Sequence, residues 1–253
     1  MDDLILYNMK HNEGFMKLFL MVLLCVAITS RTLGEDDVFD DFEDDIQLQL
    51  DSTKVADPLE SINRGFYWVN DKLYFYALKP ISVGYKTVMP ESVRKSINNF
   101  FKNLGFPKRA VNNLLQMKWR GAAKELRNFT FNSTAGVLGL FNVAENHYKW
   151  EAYDEDFGQT LGYYGADSWM AVHLPLLGPS NLRDSIGMVP DMFLNPVFYI
   201  DSWGISLSIT GGDVVNQTSL RIGMYEDMKA SNLDPYRFMQ DAYEQNRSKK
   251  LEE

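Results

Sequence analysis

The chain has 253 residues, 45% of them hydrophobic and 13% aromatic, with 25 Lys and Arg against 34 Asp and Glu for a net charge of −9. That apolar content excludes disorder throughout. One Cys and three His exclude a disulfide framework and oppose a structural zinc site, and no run of about 18 apolar residues exists to make a polytopic membrane protein.

Residues 16–28 place Met16 and Lys17 ahead of the apolar run LFLMVLLCVAI, the order of a secretory signal peptide and too short for a permanent span. The preceding MDDLILYNMKHNEGF fits that pattern poorly, so Met16 is a better start than Met1. We assign 1–34 to an export signal, with cleavage after Gly34 or Ser30. Cys25 has Leu24 before it where a lipoprotein signal needs a small residue, so lipidation of Cys25 is not expected. Residues 35–56 form an acidic tail, and its stretch EDDVFDDFEDD holds eight acids in eleven residues. The charge is unevenly laid out: 35–57 carries −9, 58–127 carries +9 and 128–253 carries −9.

A helical domain is expected over 57–248, with a short tail at 249–253. Asp57, Pro58 and Glu60 look like a cap, a first-position proline and a capping-box acid. Ile62, Phe66, Val69, Leu73 and Tyr76 then recur at helical spacing until Pro80. Tyr67, Trp68, Tyr74 and Phe75 make the other faces apolar too, which fits a helix central to a core or one against lipid; the core is the first expectation. Further helices are predicted over 89–105, 106–116, 118–136, 180–194, 212–232 and 234–248, with a short helix or turn in 154–165. The run 169–179, interrupted by Pro175, is expected to be buried and extended. Strand-like alternation is otherwise nearly absent, so the fold class is all-α.

Catalytic chemistry is missing. Downstream of the signal only His147 and His173 remain, no G-x-S-x-G elbow exists, and the glycine spacings at 136–139 and 158–165 follow no strand. His173, between apolar residues, is expected to be a hydrogen-bonded core residue. No metal or cofactor is expected, and export together with the acidic balance opposes nucleic-acid binding. Asn63, Asn70, Asn98, Asn99, Asn103, Asn112, Asn113, Asn128 and Asn132 crowd into one stretch, although Asn costs helix propensity. They are either caps and interhelical bonds or the lining of a polar route. Asn246, in N-R-S, fits a glycosylation acceptor, a motif that also arises often by chance.

The strings DPLESINRGFYWVNDKLY, LKPISVGYKTVMPESVRKSINNFFKNLGFPKRAVNNLLQ, FNSTAGVLGLFNVA, EDFGQTLGYYG, LPLLGPSNLRDSIG and DPYRFMQDAY closely resemble the MlaA (VacJ) family, in the family's order, from about Asp57 to Tyr243. The resemblance implies a single ring-shaped helical domain in the inner leaflet of the outer membrane, with an amphipathic central channel. Through it, phospholipid misplaced in the outer leaflet leaves for a soluble periplasmic carrier. It also implies association with a trimeric porin and no enzymatic activity. Family members are typically tethered by an N-terminal lipidated Cys, a feature this chain departs from. A polar route for headgroups needs phosphate donors and amides; Arg64, Lys108, Arg109, Arg127 and Arg183, with Asn63, Asn70, Asn112 and Asn113, are the candidates. The competing reading is an envelope or porin adaptor that passes no lipid.

Overall fold

In the computed structural model, the structure describes residues 55–150 and 152–252. The predicted signal, Cys25 and the acidic tail up to Lys54 lie outside them.

Helix α1 (Glu60–Leu73) does not stop at Pro80. A widened π turn, Tyr74–Leu78, follows it directly, and α2 (Lys79–Val88) begins with Pro80 at its second position. A proline clashes with the carbonyl four residues back, and a π turn relaxes that register. Asp57 is not the cap of α1: Leu59 stands there without a side-chain bond, and Asp57 instead accepts from Asn63 Nδ2 at 2.7 Å and from the Tyr236 hydroxyl.

Helices α3 (Glu91–Leu104), α4 (Phe106–Leu115) and α5 (Trp119–Thr134) follow close to their predicted bounds. Pro90 caps α3, and Gly105 separates α3 from α4. A short α6 (Val143–Tyr148), not anticipated, is capped by Asn142. Helix α7 (Phe157–Tyr163) is capped by Asp156, whose carboxylate accepts from the Gln159 amide at 2.8 Å.

The 169–179 run is an antiparallel hairpin, β1 (Ala171–Leu174) against β2 (Gly178–Asn181), with Ala171 opposite Asn181. These are the only strands among the described residues. Helix α8 (Leu182–Phe193), capped by Asn181, leads through a 3₁₀ turn (Pro196–Tyr199) to α9 (Trp203–Leu220). The helix predicted over 212–232 thus starts earlier and is broken near Gly223, whose φ of 109° only glycine takes easily; α10 (Met224–Ser231) resumes after it. Finally α11 (Pro235–Glu252) absorbs the predicted tail, and Lys250 pairs with Asp154 at 3.1 Å.

The element contacts close on themselves. Helix α1 packs on β1, β1 on α8, α8 on α7, α7 on α4, α4 on α3, α3 on α9, α9 on α2, and α2 returns through the π turn to α1. The all-α ring is therefore formed by contacts between elements far apart in the chain. Its ends are clasped where Arg64 on α1 forks onto Asp234 beside α11 at 2.6 and 3.1 Å, and Arg237 reaches Glu60.

The interior is polar and the outside apolar. Among the described residues, eight buried side chains are apolar and 29 are polar or charged, while 33 large apolar side chains are exposed. An ordinary water-facing domain shows the reverse. The expectation that α1 is central to an apolar core is overturned: Ile62, Phe66, Trp68, Val69 and Leu73 are exposed, and α1 buries Asn63 and Asp71 instead. On α9, Ser206, Thr210, Asp213, Asn216 and Ser219 face inward while Trp203, Ile205 and Leu207 face out. No helix among the described residues is long and apolar enough to cross a membrane.

Candidate functional site

Helix α3 has two faces. Glu91, Arg94, Lys95, Asn98, Asn99 and Lys102 recur every three or four residues and line one wall of a cavity of about 710 Å³. Val93, on another face, is exposed. The opposite wall comes from the end of α9 and its turn (Gln217, Ser219, Leu220, Arg221), and Lys86 on α2 and Asn142, Glu145 and Asn146 around α6 complete it.

Arg94 holds the walls together. Its Nη1 donates to the Ser219 carbonyl at 2.7 Å and to Ser219 Oγ at 3.1 Å, and its Nε donates to the Met89 carbonyl at 3.1 Å. Across the same seam Asn216 Nδ2 donates to the Arg94 carbonyl at 3.0 Å, and Asn216 Oδ1 accepts from the Tyr85 hydroxyl at 3.0 Å. Asn99 reaches the Leu140 carbonyl, tying the 135–142 loop to α3, and Asn103 donates to Ser133 Oγ at 2.9 Å, tying the end of α5 to it. The cavity is thus a polar space between elements braced by neutral acceptors.

The nine residues singled out in the sequence are placed elsewhere. Asn63 donates to Asp57 and to the Ala171 carbonyl and accepts from the His173 amide at 2.9 Å. Asn70 donates to the Leu174 carbonyl and accepts from the Leu176 amide. Both pin the hairpin to α1. Arg64 belongs to the clasp and lies 4.6 Å over the Tyr236 ring. Arg109 donates to Glu125 at 2.7 Å, and Arg127 stacks 3.6 Å over Trp150. Asn113 is wholly buried against Gly121, where a Cβ would come within 1.9 Å of its Oδ1.

Asn112, Lys108 and Arg183 join an interior charge network. Asn112 donates to Asp191 at 2.8 Å and accepts from Thr160 at 2.9 Å. Arg247 forks onto Asp156 at 2.6 and 2.8 Å, and its Nε lies 2.8 Å from Asp184, which Arg183, Asn181 and Tyr243 also contact. Burial pushes the Asp156 carboxyl up, but the Arg247 guanidinium outweighs it and holds it well below the usual range. Burial pushes Asp191 up to about 7, against the pull of Lys108. The Lys108 ammonium is buried without a hydrogen-bond partner. Arg183 also borders a second cavity of about 590 Å³, with Ser168 and Glu244.

The structure therefore brings Asn112, Lys108 and Arg183 into one buried network and Asn63, Arg64 and Asn70 onto α1, and none of the nine lines the larger cavity. The residues that do line it carry a legible signal, the three-and-four spacing of polar side chains in ESVRKSINNFFK. Residue type alone, Arg or Asn, does not distinguish a cavity wall from a buried brace; the face it stands on does.

His173 is buried as expected but is not hydrogen-bonded through its ring. Both nitrogens lack partners, and the ring sits edge-on between Tyr67 and Tyr236. Burial lowers its pKa to about 4, with Asp57 pulling the other way. Asn246 lies within α11 with Oδ1 buried, a placement that opposes its use as a glycan acceptor. Among the described residues no group of three or more His, Cys, Asp or Glu is arranged to hold a metal ion.

Comparison with known proteins agrees with this architecture. The model of a family described as MlaA lipoprotein matches residues 55–250. A protein of Escherichia coli K12, the intermembrane phospholipid transport system lipoprotein MlaA, is 30% identical over 191 residues, covering 74% of this chain and 75% of its own. An uncharacterized protein of Rickettsia bellii is 28% identical over 233 residues, covering 91% of this chain and 90% of its own. A solved structure described as the structural basis for maintenance of bacterial outer membrane lipid asymmetry superposes with a TM-score of 0.63 at 28% identity. It covers 78% of this chain and 99% of its own.

Proposed function

Because this chain belongs to the MlaA lipoprotein family, we propose that it is an intermembrane phospholipid transport component that maintains outer-membrane lipid asymmetry. In this reading it removes phospholipid mislocalised to the outer leaflet and passes it to a soluble periplasmic carrier. The observation that carries the reading is the inverted polarity of the ring: among the described residues 33 large apolar side chains are exposed, and the interior is polar, with a polar cavity.

The physics follows the two ends of a phospholipid. Acyl tails need an apolar surround, and a phosphate in hydrocarbon without partners is costly. Exposed Trp68, Trp119, Trp169 and Trp203 suit the boundary between headgroups and tails. We take the ring to sit in the inner leaflet of the outer membrane, with a trimeric porin as neighbour. The arrangement needs no bond chemistry: in this reading headgroup and tails pass together through an amphipathic central channel.

The test is genetic and chemical together. Deleting the gene is expected to raise outer-leaflet phospholipid, and the full-length protein purified in mild detergent is expected to carry phospholipid detectable by mass spectrometry. Unchanged outer-leaflet phospholipid together with a lipid-free protein would sink the proposal.

A further inference from the structure

We propose that Arg94 is the residue that holds the phosphate of a phospholipid inside the cavity against α3. The inference rests on the lipid-transport reading above and assigns one contact within it.

Three arginines among the described residues are almost wholly buried: Arg94, Arg183 and Arg247. A buried guanidinium keeps its charge and is costly unless that charge is matched. Arg183 meets Asp184 at 2.9 Å, and Arg247 meets Asp156 and Asp184 at 2.6 and 2.8 Å. Arg94, 4% exposed, meets no carboxylate at ion-pair distance among the described residues. Its partners are the Met89 and Ser219 carbonyls and Ser219 Oγ, all neutral. Glu91, one turn before it, is bonded to Lys95 at 2.8 Å, and Arg94 attracts that carboxylate more weakly than Lys95 does.

Those three bonds use Nε and Nη1 and leave Nη2 without an acceptor among the described residues. Nη2 of Arg183 also lacks one, but it is sealed off, whereas Nη2 of Arg94 is open. The space it opens on is the cavity that Arg94 lines. A phosphodiester brings two non-bridging oxygens that share one negative charge. One accepts from Nη2 in a charge-assisted bond, for which a guanidinium is well suited. Asn98, four residues on along α3, lines the same wall, and its amide can donate to the other. The bonds to Met89 and Ser219 fix the guanidinium before any ligand arrives, so little side-chain freedom is lost on binding.

The experiment offers the full-length protein, in mild detergent, equal amounts of phosphatidylethanolamine and of diacylglycerol with the same acyl chains. Retained lipid is quantified by mass spectrometry, and the readout is the ratio of phospholipid to diacylglycerol, which a loosened fold alone would not change. The wild-type protein is expected to retain the phospholipid in excess. Arg94→Gln should cut the ratio about tenfold, the scale of one lost hydrogen bond to a charged group. Arg94→Lys, which keeps the charge without the fork, should preserve more of the ratio than Arg94→Gln. Tyr85→Phe loses the bond to Asn216 across the same seam but lies outside the cavity wall, and should leave the ratio as it was. Inorganic phosphate, compared with chloride at equal ionic strength, separates the two sources of phosphate. A ratio that falls with phosphate alone assigns the site to the free ion and overturns the proposal. A wild-type ratio of one, a ratio unmoved by Arg94→Gln, or an equal fall with Tyr85→Phe reduces Arg94 to a brace and overturns the proposal, leaving lipid transport standing. Neither lipid retained by the wild-type protein overturns both.

Discussion

At the scale of single residues, the interior is organised by charges that are expensive to bury and therefore closely matched. Arg247 is almost wholly buried and faces Asp156 and Asp184, both buried as well. Removing one partner of such a set leaves the others uncompensated, at a cost of about 3–5 kcal/mol. Arg247→Ala is therefore expected to lower unfolding stability in detergent by that order, whereas Arg237→Ala, whose pair with Glu60 is exposed, should cost under about 1 kcal/mol. Chemical denaturation of the two variants side by side checks the contrast.

Two buried groups also give opposite pH slopes. Asp191, raised to about 7 by burial, binds a proton in the fold that the unfolded chain has released. Its contribution is most favourable below the ordinary Asp pKa and is lost as pH rises through about 7. His173, lowered to about 4 by burial, does the reverse: the unfolded chain takes up the proton first, so stability falls as pH drops from about 6.5 towards 4. Melting temperatures of Asp191→Asn, relative to wild type, should rise steadily between pH 4 and 7. Those of His173→Phe should fall relative to wild type over the same interval. Parallel profiles for both variants would contradict the assignment.

At the scale of elements, several helices turn a polar face in and an apolar face out. Helix α9 shows it plainly, with Ser206, Thr210 and Asp213 buried and Trp203, Ile205 and Leu207 exposed. A charge on the outer face would meet hydrocarbon or headgroups in a bilayer, at about 2.5–3.5 kcal/mol when placed at membrane depth. Ile205→Glu with Leu207→Glu should therefore reduce co-flotation with liposomes at least tenfold while leaving the far-ultraviolet circular dichroism unchanged. Flotation equal to wild type would show that this face does not meet lipid. The π turn at Tyr74–Leu78 is a place where an element departs from local rules, and Pro80 supplies the reason.

At the scale of the whole molecule, the net charge of −9 describes no surface of the domain, since residues 35–57 account for all of it. The remainder is neutral, split between a basic and an acidic part that the ring brings together in pairs such as Lys118 with Glu155 and Lys79 with Glu226. Within the basic part, Arg109, promising by type, is occupied by Glu125. Arg64 with Asp234, residues 170 positions apart, adds a clasp between α1 and the start of α11 to a circuit that other contacts close.

The helices were legible because their determinants are local. Pro90 before α3, Gly105 between α3 and α4, and Asp156 at the start of α7 act within a turn of where they stand. The family, too, was carried by short strings that need no structure to read. The site was less legible. Arg94 and Asn112 are similar as letters, polar residues in helices of similar pattern, and only packing decides that Arg94 borders a cavity while Asn112 bonds Asp191 and Thr160. The same holds for α1. An apolar helical stripe has the same sequence whether it meets a protein core or a bilayer, because both remove it from water. The sequence by itself determined the helices, the family and the uneven charge. The tertiary structure decided which face of each helix looks inward, because that choice is settled by closure of the ring and by what each face then finds to touch.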